Sequence, residues 1–338
     1  MLDLHALDLY RPPAAAHSSR LGAKEPYVNT HLFDKAGAWS RPPTVARGVM
    51  AVACDAFDVP TAAAAERSTD MASLVVGRML AGQRGQSARV GAILHAQCTL
   101  DQQKLGSTPL RLRHDHLPDV PRYATIGQLG TAGLPTALRL AACPPLPGGG
   151  ADRPLTCVSA ADKWLAPFVQ HFPGLLSYAD AAAACLAAPS GGHAYAIAHV
   201  LDMEISTRPL PYDLWTAPAQ AQEEFIFAHV QDCAERVRRR ADFRRAGLRL
   251  IGDCMAAPLG ERLAGSLGMA RLADAAPCHL SSASALFSIG TAIEAAAARE
   301  QILDALVWTA SLGGQAAAML VRCRPDAVRT QTGWTARS

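Results

Sequence analysis

Gly127-Gln128-Leu129-Gly130-Thr131-Ala132-Gly133-Leu134-Pro135-Thr136-Ala137-Leu138 is the stretch on which the reading of the fold turns. It leads into an apolar helical period that predicts a helix over Leu134–Ala142. On either side, short apolar runs alternate with alanine-rich stretches of the same period. Strands are expected at Val90–Leu94, Leu155–Ser159, Ala194–Asp202, Leu248–Ile251 and Ala305–Thr309. Continuous apolar runs of this length suit strands buried on both faces. Helices are expected at Thr44–Phe57, Asp70–Leu80, Ala160–His171, Gln220–Arg240, Leu259–Leu267 and Ser282–Ala298. Such alternation argues for an α/β fold with largely parallel sheets. Turn residues mark loops at Arg41-Pro42-Pro43, His116-Leu117-Pro118 and Cys143–Arg153. The turn Ala188-Pro189-Ser190-Gly191-Gly192-His193 divides the chain into an expected N-terminal half, 1–187, and a C-terminal half, 188–338.

With 338 residues, 50% of them hydrophobic and only 18% charged, the chain is long enough for a large core and too apolar for general disorder. The low charge fraction also implies hidden surface, as in an obligate dimer. A net charge of +3 does not point to nucleic acid. The nine cysteines are odd in number, widely spaced and without a C-x-x-C, so neither a disulfide framework nor a zinc site is suggested. Met1-Leu2-Asp3-Leu4-His5 lacks the basic flank of a signal peptide, and polar residues, proline or glycine interrupt every apolar run before bilayer length. A reducing cytoplasm is the expected compartment, with no membrane contact.

Several segments, taken in order, resemble landmarks of the beta-ketoacyl-ACP synthase III family. Ala36-Gly37-Ala38-Trp39-Ser40-Arg41 is similar to its Gly-Ile-x-x-Arg segment, and Thr131-Ala132-Gly133-Leu134 to its Cys-Ala-Gly-Phe nucleophile turn. Tyr178-Ala179-Asp180-Ala181 resembles the Gly-Asp-Gly-Ala turn, and Leu250-Ile251-Gly252-Asp253-Cys254 falls where the family has Ile-Pro-His-Gln. Gly265-Ser266-Leu267-Gly268 is like the helix end that follows. Cys278-His279-Leu280-Ser281-Ser282-Ala283-Ser284 is similar to Gly-Asn-Thr-Ser-Ser-Ala-Ser, and Ser311-Leu312-Gly313-Gly314 stands where a glycine-rich gating turn would be. The resemblance implies the thiolase fold, two similar halves forming a five-layered αβαβα core, usually as a dimer.

The family works with a Cys, a His and an Asn; the matched positions here carry Thr131, Asp253 and His279. Ordinary decarboxylating condensation needs the missing thiolate and the His–Asn pair, so the resemblance implies acyl transfer through a hydroxyl instead. In that scheme His279 deprotonates Thr131, Asp253 orients His279, and an oxyanion is held by the N–H of Thr131 with one from Gly313 or Gly314. The bland alternative makes Thr131 a filler and Asp253–His279 a buried hydrogen-bonded pair. Another register, Gly127-Gln128-Leu129-Gly130, puts Gln128 at the nucleophile position, as in noncatalytic chain-length subunits.

Cys98, with His95 three residues before it, reads as a packed thiol, while Cys254 and Cys278 flank the two polar site positions. The basic run Arg236–Arg240, continued by Arg244, Arg245 and Arg249, is a solvated helix end or a docking surface for acyl carrier protein or coenzyme A phosphates. For docking the candidates are Arg41, Arg238, Arg239, Arg245 and Arg249. His114-Asp115-His116 lacks further ligands, so no metal is expected. No cofactor is expected either, the acyl-CoA or acyl-phosphopantetheine being the substrate. Two functions follow: an acyltransferase of secondary metabolism, working as a homodimer or with a related synthase, or a noncatalytic subunit of an active synthase.

Overall fold

Apolar runs that lack a helical period become the inner strands, and more exposed segments pair at the two edges. In the first half these are β1 Leu2–Tyr10, β2 Val90–Gln97, β3 Arg122–Gly127, β4 Leu155–Asp162 and β5 Ala181–Pro189. In the second they are β6 Ala198–Thr207, β7 Arg249–Gly252, β8 Ala270–Arg271, β9 Leu303–Ala310 and β10 Gln315–Cys323. The structure, a computed structural model, describes residues 1–16, 58–60, 66–83, 87–99, 107–143, 155–164, 171–172, 174–191, 196–214, 217–240, 247–256 and 258–326. The landmark Ala36–Arg41, the expected helix Thr44–Phe57 and most of the loop Cys143–Arg153 lie outside these residues.

The two halves repeat one topology. From the joint outward the first runs β1-β5-β4-β2-β3 and the second β6-β10-β9-β7-β8, the same order of first, fifth, fourth, second and third strand. Pairing directions repeat as well. β5 lies antiparallel between β1 and β4, with β2 parallel to β4 and β3. β10 lies antiparallel between β6 and β9, with β7 parallel to β9 and β8. The halves meet where β1 pairs antiparallel with β6, Leu2 opposite Val200 and Leu4 opposite Ala198. The sheets are therefore mixed rather than largely parallel, because each fifth strand is inserted antiparallel between two earlier ones.

Among the described residues six helices complete the layers: α1 Ser68–Ala81, α2 Thr108–His116, α3 Gly133–Ala141, α4 Ala219–Arg240, α5 Leu259–Leu267 and α6 Ser284–Ala298. α1 and α2 cover the outer face of the first half and α4 and α5 that of the second, while α3 and α6 touch strands of both halves. Three apolar clusters follow this division, one beneath α1 and α2, one beneath α4 and α5, and the largest around α3 and α6. Leu134 and Leu138, buried in α3, each contribute about 1.5–3 kcal/mol by leaving water. The result is the five-layered αβαβα thiolase fold.

One expected element is absent. Ala160–Asp162 complete β4 and His171 opens a short strand with Phe172, so no helix spans Ala160–His171. β4 is buried along nearly its whole length, and Ala160 and Ala161 continue that buried strand rather than opening an amphipathic turn. The alanine run Ala181–Ala184 is β5 despite alanine's helical preference.

Candidate active site

The carboxyl ends of the strands and the amino ends of the two central helices converge on one region. In each half a single 3₁₀ turn leads into the central helix: Gly130–Ala132 into α3, and Ser281–Ala283 into α6. The first residue of each turn is left-handed, Gly130 at φ 51° and Ser281 at φ 53°. A side chain at 130 would collide with Ser311, its Cβ falling 2.4 Å from Oγ, so close packing as well as φ requires glycine. Thr131 and Ser282 are thereby counterparts. Cys98 and Asp253 are counterparts too, each the residue just after its half's second strand.

Beside Cys98 and Thr131 lies a cavity of about 330 Å³ whose wall also includes Trp164, Tyr178, Ser281 and Gly313. Trp164 stacks on Tyr178 with ring centroids 4.1 Å apart, giving the wall an aromatic face. Thr131 is 1% exposed, and its Oγ1 finds no hydrogen-bond partner among the described residues. Gln128, the alternative nucleophile position, also lines this cavity, from the exposed bend before the 3₁₀ turn, with φ 59°. Thr131 lies within the 3₁₀ turn that leads into α3.

Asp253 and His279 form a buried pair one layer behind this wall. His279 Nε2 lies 3.1 Å from Asp253 Oδ2 and 3.0 Å from the Ala310 carbonyl, while Nδ1 accepts the Ser281 N–H at 3.0 Å. A neutral ring so placed carries its proton on Nε2. Burial alone would push the His279 pKa down, but the Asp253 charge and the hydrogen bonds to Asp253 and the Ala310 carbonyl outweigh it and hold the pKa above its ordinary value. Asp253 Oδ2 also accepts the Thr309 hydroxyl at 2.7 Å and the Ala310 N–H at 2.8 Å. Its Oδ1 is buried with no partner among the described residues. Ser281 and Tyr178 link pair and cavity: both line the cavity, and the Tyr178 ring meets His279 edge-on at 5.0 Å.

The structure thus joins Asp253 to His279 and places Thr131 on the cavity wall, with no hydrogen bond from Thr131 to the imidazole. Of the two glycines, Gly313 lines the cavity, whereas the Gly314 N–H is donated to the Ser311 carbonyl at 3.3 Å. A second carboxylate, Asp162 at the end of β4, is saturated. Oδ1 accepts the N–H groups of Cys98 and Thr99 and the Thr99 hydroxyl, and Oδ2 accepts the N–H and hydroxyl of Ser282 from the other half.

Cys98 is the cavity residue that sequence reasoning set aside as packing. The symmetry of the halves was the available signal, because it pairs Cys98 with Asp253. Cys254 and Cys278 stay in packing roles beside the pair, their thiols pushed up to about 11 and about 12 chiefly by burial. Arg238 donates to the Leu267 carbonyl at the end of α5, and Arg240 binds Asp202 and Glu204 on β6, so much of the basic run serves internal ties. Arg239 is exposed and Arg249 half-buried; Arg41 and Arg245 lie outside the described residues. Among His114, Asp115 and His116, His114 and Arg111 bind Asp115 and His116 binds Ser73, and the described residues hold no metal-ligating cluster.

No protein-family profile and no curated protein matches the sequence. Solved structures do match along nearly the whole chain. ChlB3, an acyltransferase, superposes with a TM-score of 0.67 at 15% identity, over 96% of this chain and 98% of its own. The 3-oxoacyl-(acyl carrier protein) synthase III FabH of Pseudomonas aeruginosa PAO1 gives 0.65 at 14% identity, over 96% and 98%. A variant of Xanthomonas campestris OleA gives 0.67 at 11% identity, over 95% and 98%. These likenesses establish the thiolase fold. Among the described residues no helix is long and apolar enough to cross a membrane.

Proposed function

We propose that this protein transfers an acyl group from a thioester of acyl carrier protein or coenzyme A to a second substrate, in a biosynthetic pathway of secondary metabolism in the cytoplasm. The observation that carries this reading is the buried Asp253–His279 pair, with one carboxylate oxygen left without a partner near an open cavity that Ser281 and Tyr178 line. A buried carboxylate oxygen without a donor is costly unless it serves a ligand or a reaction. The acyl carbonyl rests near Thr131, where the amino end of α3 and the N–H groups of Thr131 and Gly313 favour developing negative charge.

The roles within the trio change from those the resemblance implies. Because both His279 nitrogens are engaged, His279 acts as a positioning residue that holds Asp253 through Nε2. Asp253 Oδ1 then takes the proton of the attacking acceptor. Thr131 contributes its N–H and hydroxyl to the carbonyl oxygen, since no base touches its Oγ1. The similarity in fold to ChlB3 and FabH, which are named for acyl transfer and acyl carrier protein chemistry, supports the donor class.

The second reading, a noncatalytic subunit, draws on β3. This edge strand is exposed along most of its length, Tyr123 by 41%, and offers unpaired backbone groups to a second copy or a related synthase. Thiol release from a panel of acyl-CoA and acyl-carrier thioesters, with and without acceptors, separates the two. An acyltransferase releases thiol and loses that turnover in His279→Ala while keeping its fold. Undiminished turnover in that variant would remove the pair from the chemistry.

A further inference from the structure

We propose that Cys98 carries the acyl group between donor and acceptor, so that transfer proceeds through a thioester on the wall of the cavity. This inference rests on the reading of the cavity as an acyl-transfer site and adds a covalent step to it.

Three observations support it. Cys98 is the only cysteine among the described residues that line the cavity, which it shares with Thr131 and Ser281. Its backbone is fixed, the N–H donating to Asp162 Oδ1 at 2.7 Å. Independently of the thiol, the Thr131 hydroxyl on the same wall is almost wholly buried without a partner, and so stands ready to donate to a carbonyl oxygen bound there. Thr131 is poorly equipped to be the nucleophile itself. It is β-branched, and an alcohol needs a base within hydrogen-bond reach, which its Oγ1 lacks.

The step balances without a further reactant. Cys98 Sγ attacks the thioester carbonyl, the Sγ–C bond forms, the donor's C–S bond breaks, and the thiol proton leaves on the donor's sulfur. Thioester for thioester is a near-even exchange. Burial, and next the Asp162 charge, push the Cys98 thiol well above its usual range, while the Ser281 side chain and the Ser282 N–H pull it the other way. The resting thiol is therefore protonated. In the second half-reaction the acceptor, deprotonated by Asp253, takes the acyl group from Cys98, which recovers a proton.

The test is intact-mass spectrometry of the full chain after exposure to acetyl-, butyryl- and palmitoyl-CoA, followed by peptide mapping and treatment with neutral hydroxylamine. The expected result is a hydroxylamine-labile adduct on the Cys98 peptide, present in Cys143→Ser and absent in Cys98→Ser and Cys98→Ala. Hydroxylamine sensitivity of the wild-type adduct decides between thioester and ester even if the Cys98 variants fold poorly. A hydroxylamine-resistant ester on Thr131 would overturn the Cys98 step. So would thiol-releasing turnover in Cys98→Ser within about twofold of wild type; either result leaves acyl transfer standing. No adduct and no turnover with any thioester would overturn both.

Discussion

Asp162 and Asp253 sit in opposite halves of a repeated scaffold, Asp162 as the last residue of β4 and Asp253 just past β7, and their surroundings differ. Asp162 receives donors on both oxygens and draws Ser282 of the second half onto the end of β4. Asp253 gathers three contacts on Oδ2 and leaves Oδ1 bare. A saturated buried carboxylate holds chain segments together. A carboxylate with one open oxygen retains the capacity to accept a proton from something that arrives later. The two acids occupy different positions of the repeat, Asp162 ending the fourth strand of its half and Asp253 following the second strand of the other, so each is a feature of its own half.

Changing each acid to its amide sharpens the contrast. Asp253→Asn should lower thioester turnover by about two to four orders of magnitude, the usual cost of losing a general base, with little change in unfolding midpoint. Asp162→Asn should do the reverse in kind, costing about 2–3 kcal/mol of stability because the amide NH₂ faces donors that it cannot accept. Urea unfolding of both variants beside steady-state rates would reveal the pattern, and a stability loss confined to Asp253→Asn would break it. The smallest effect concerns the two outer edges. β3 is six residues long and exposed, whereas β8 has only Ala270 and Arg271. Ala124→Lys on β3 should weaken self-association or partner binding roughly tenfold, whereas Ala270→Lys on β8 should leave it unchanged. Sedimentation velocity across a dilution series reads this directly, and equal behaviour of the two variants would deny β3 its special role.

Much of the scaffold was legible in the sequence. The helix Leu259–Leu267 matches its expected bounds, α4 begins one residue earlier than expected, and β2, β4 and β9 extend the runs proposed for them. Both fifth strands escaped notice as strands for one physical reason. Ala181–Ala184 in β5 and Ala316–Ala318 in β10 carry side chains that favour helix in isolation, yet they are sandwiched between helical layers. The small side chains allow those layers to approach the sheet closely. Of the candidate site, Thr131, Asp253 and His279 were picked out by resemblance, but the hydrogen bond that occupies His279 Nδ1 was not. That contact is made by the left-handed turn at Ser281, which residue types alone do not announce. Cys98 was missed because its significance lies in the counterpart relation between halves, which becomes visible only with the strand order.

The joint at β1 has a consequence for how the chain is made. Leu2–Tyr10 emerges from the ribosome before any of its partners, which are Ala182–Pro189 and then Ala198–Val200. Until those segments follow, this first strand is an apolar ribbon with both edges open, and closing it requires contacts very distant in sequence. Vectorial synthesis therefore leaves one edge of β1 open until the second half has begun. The interval is the point at which a chaperone would hold the nascent chain, and slowing elongation past Val200 would lengthen its exposure.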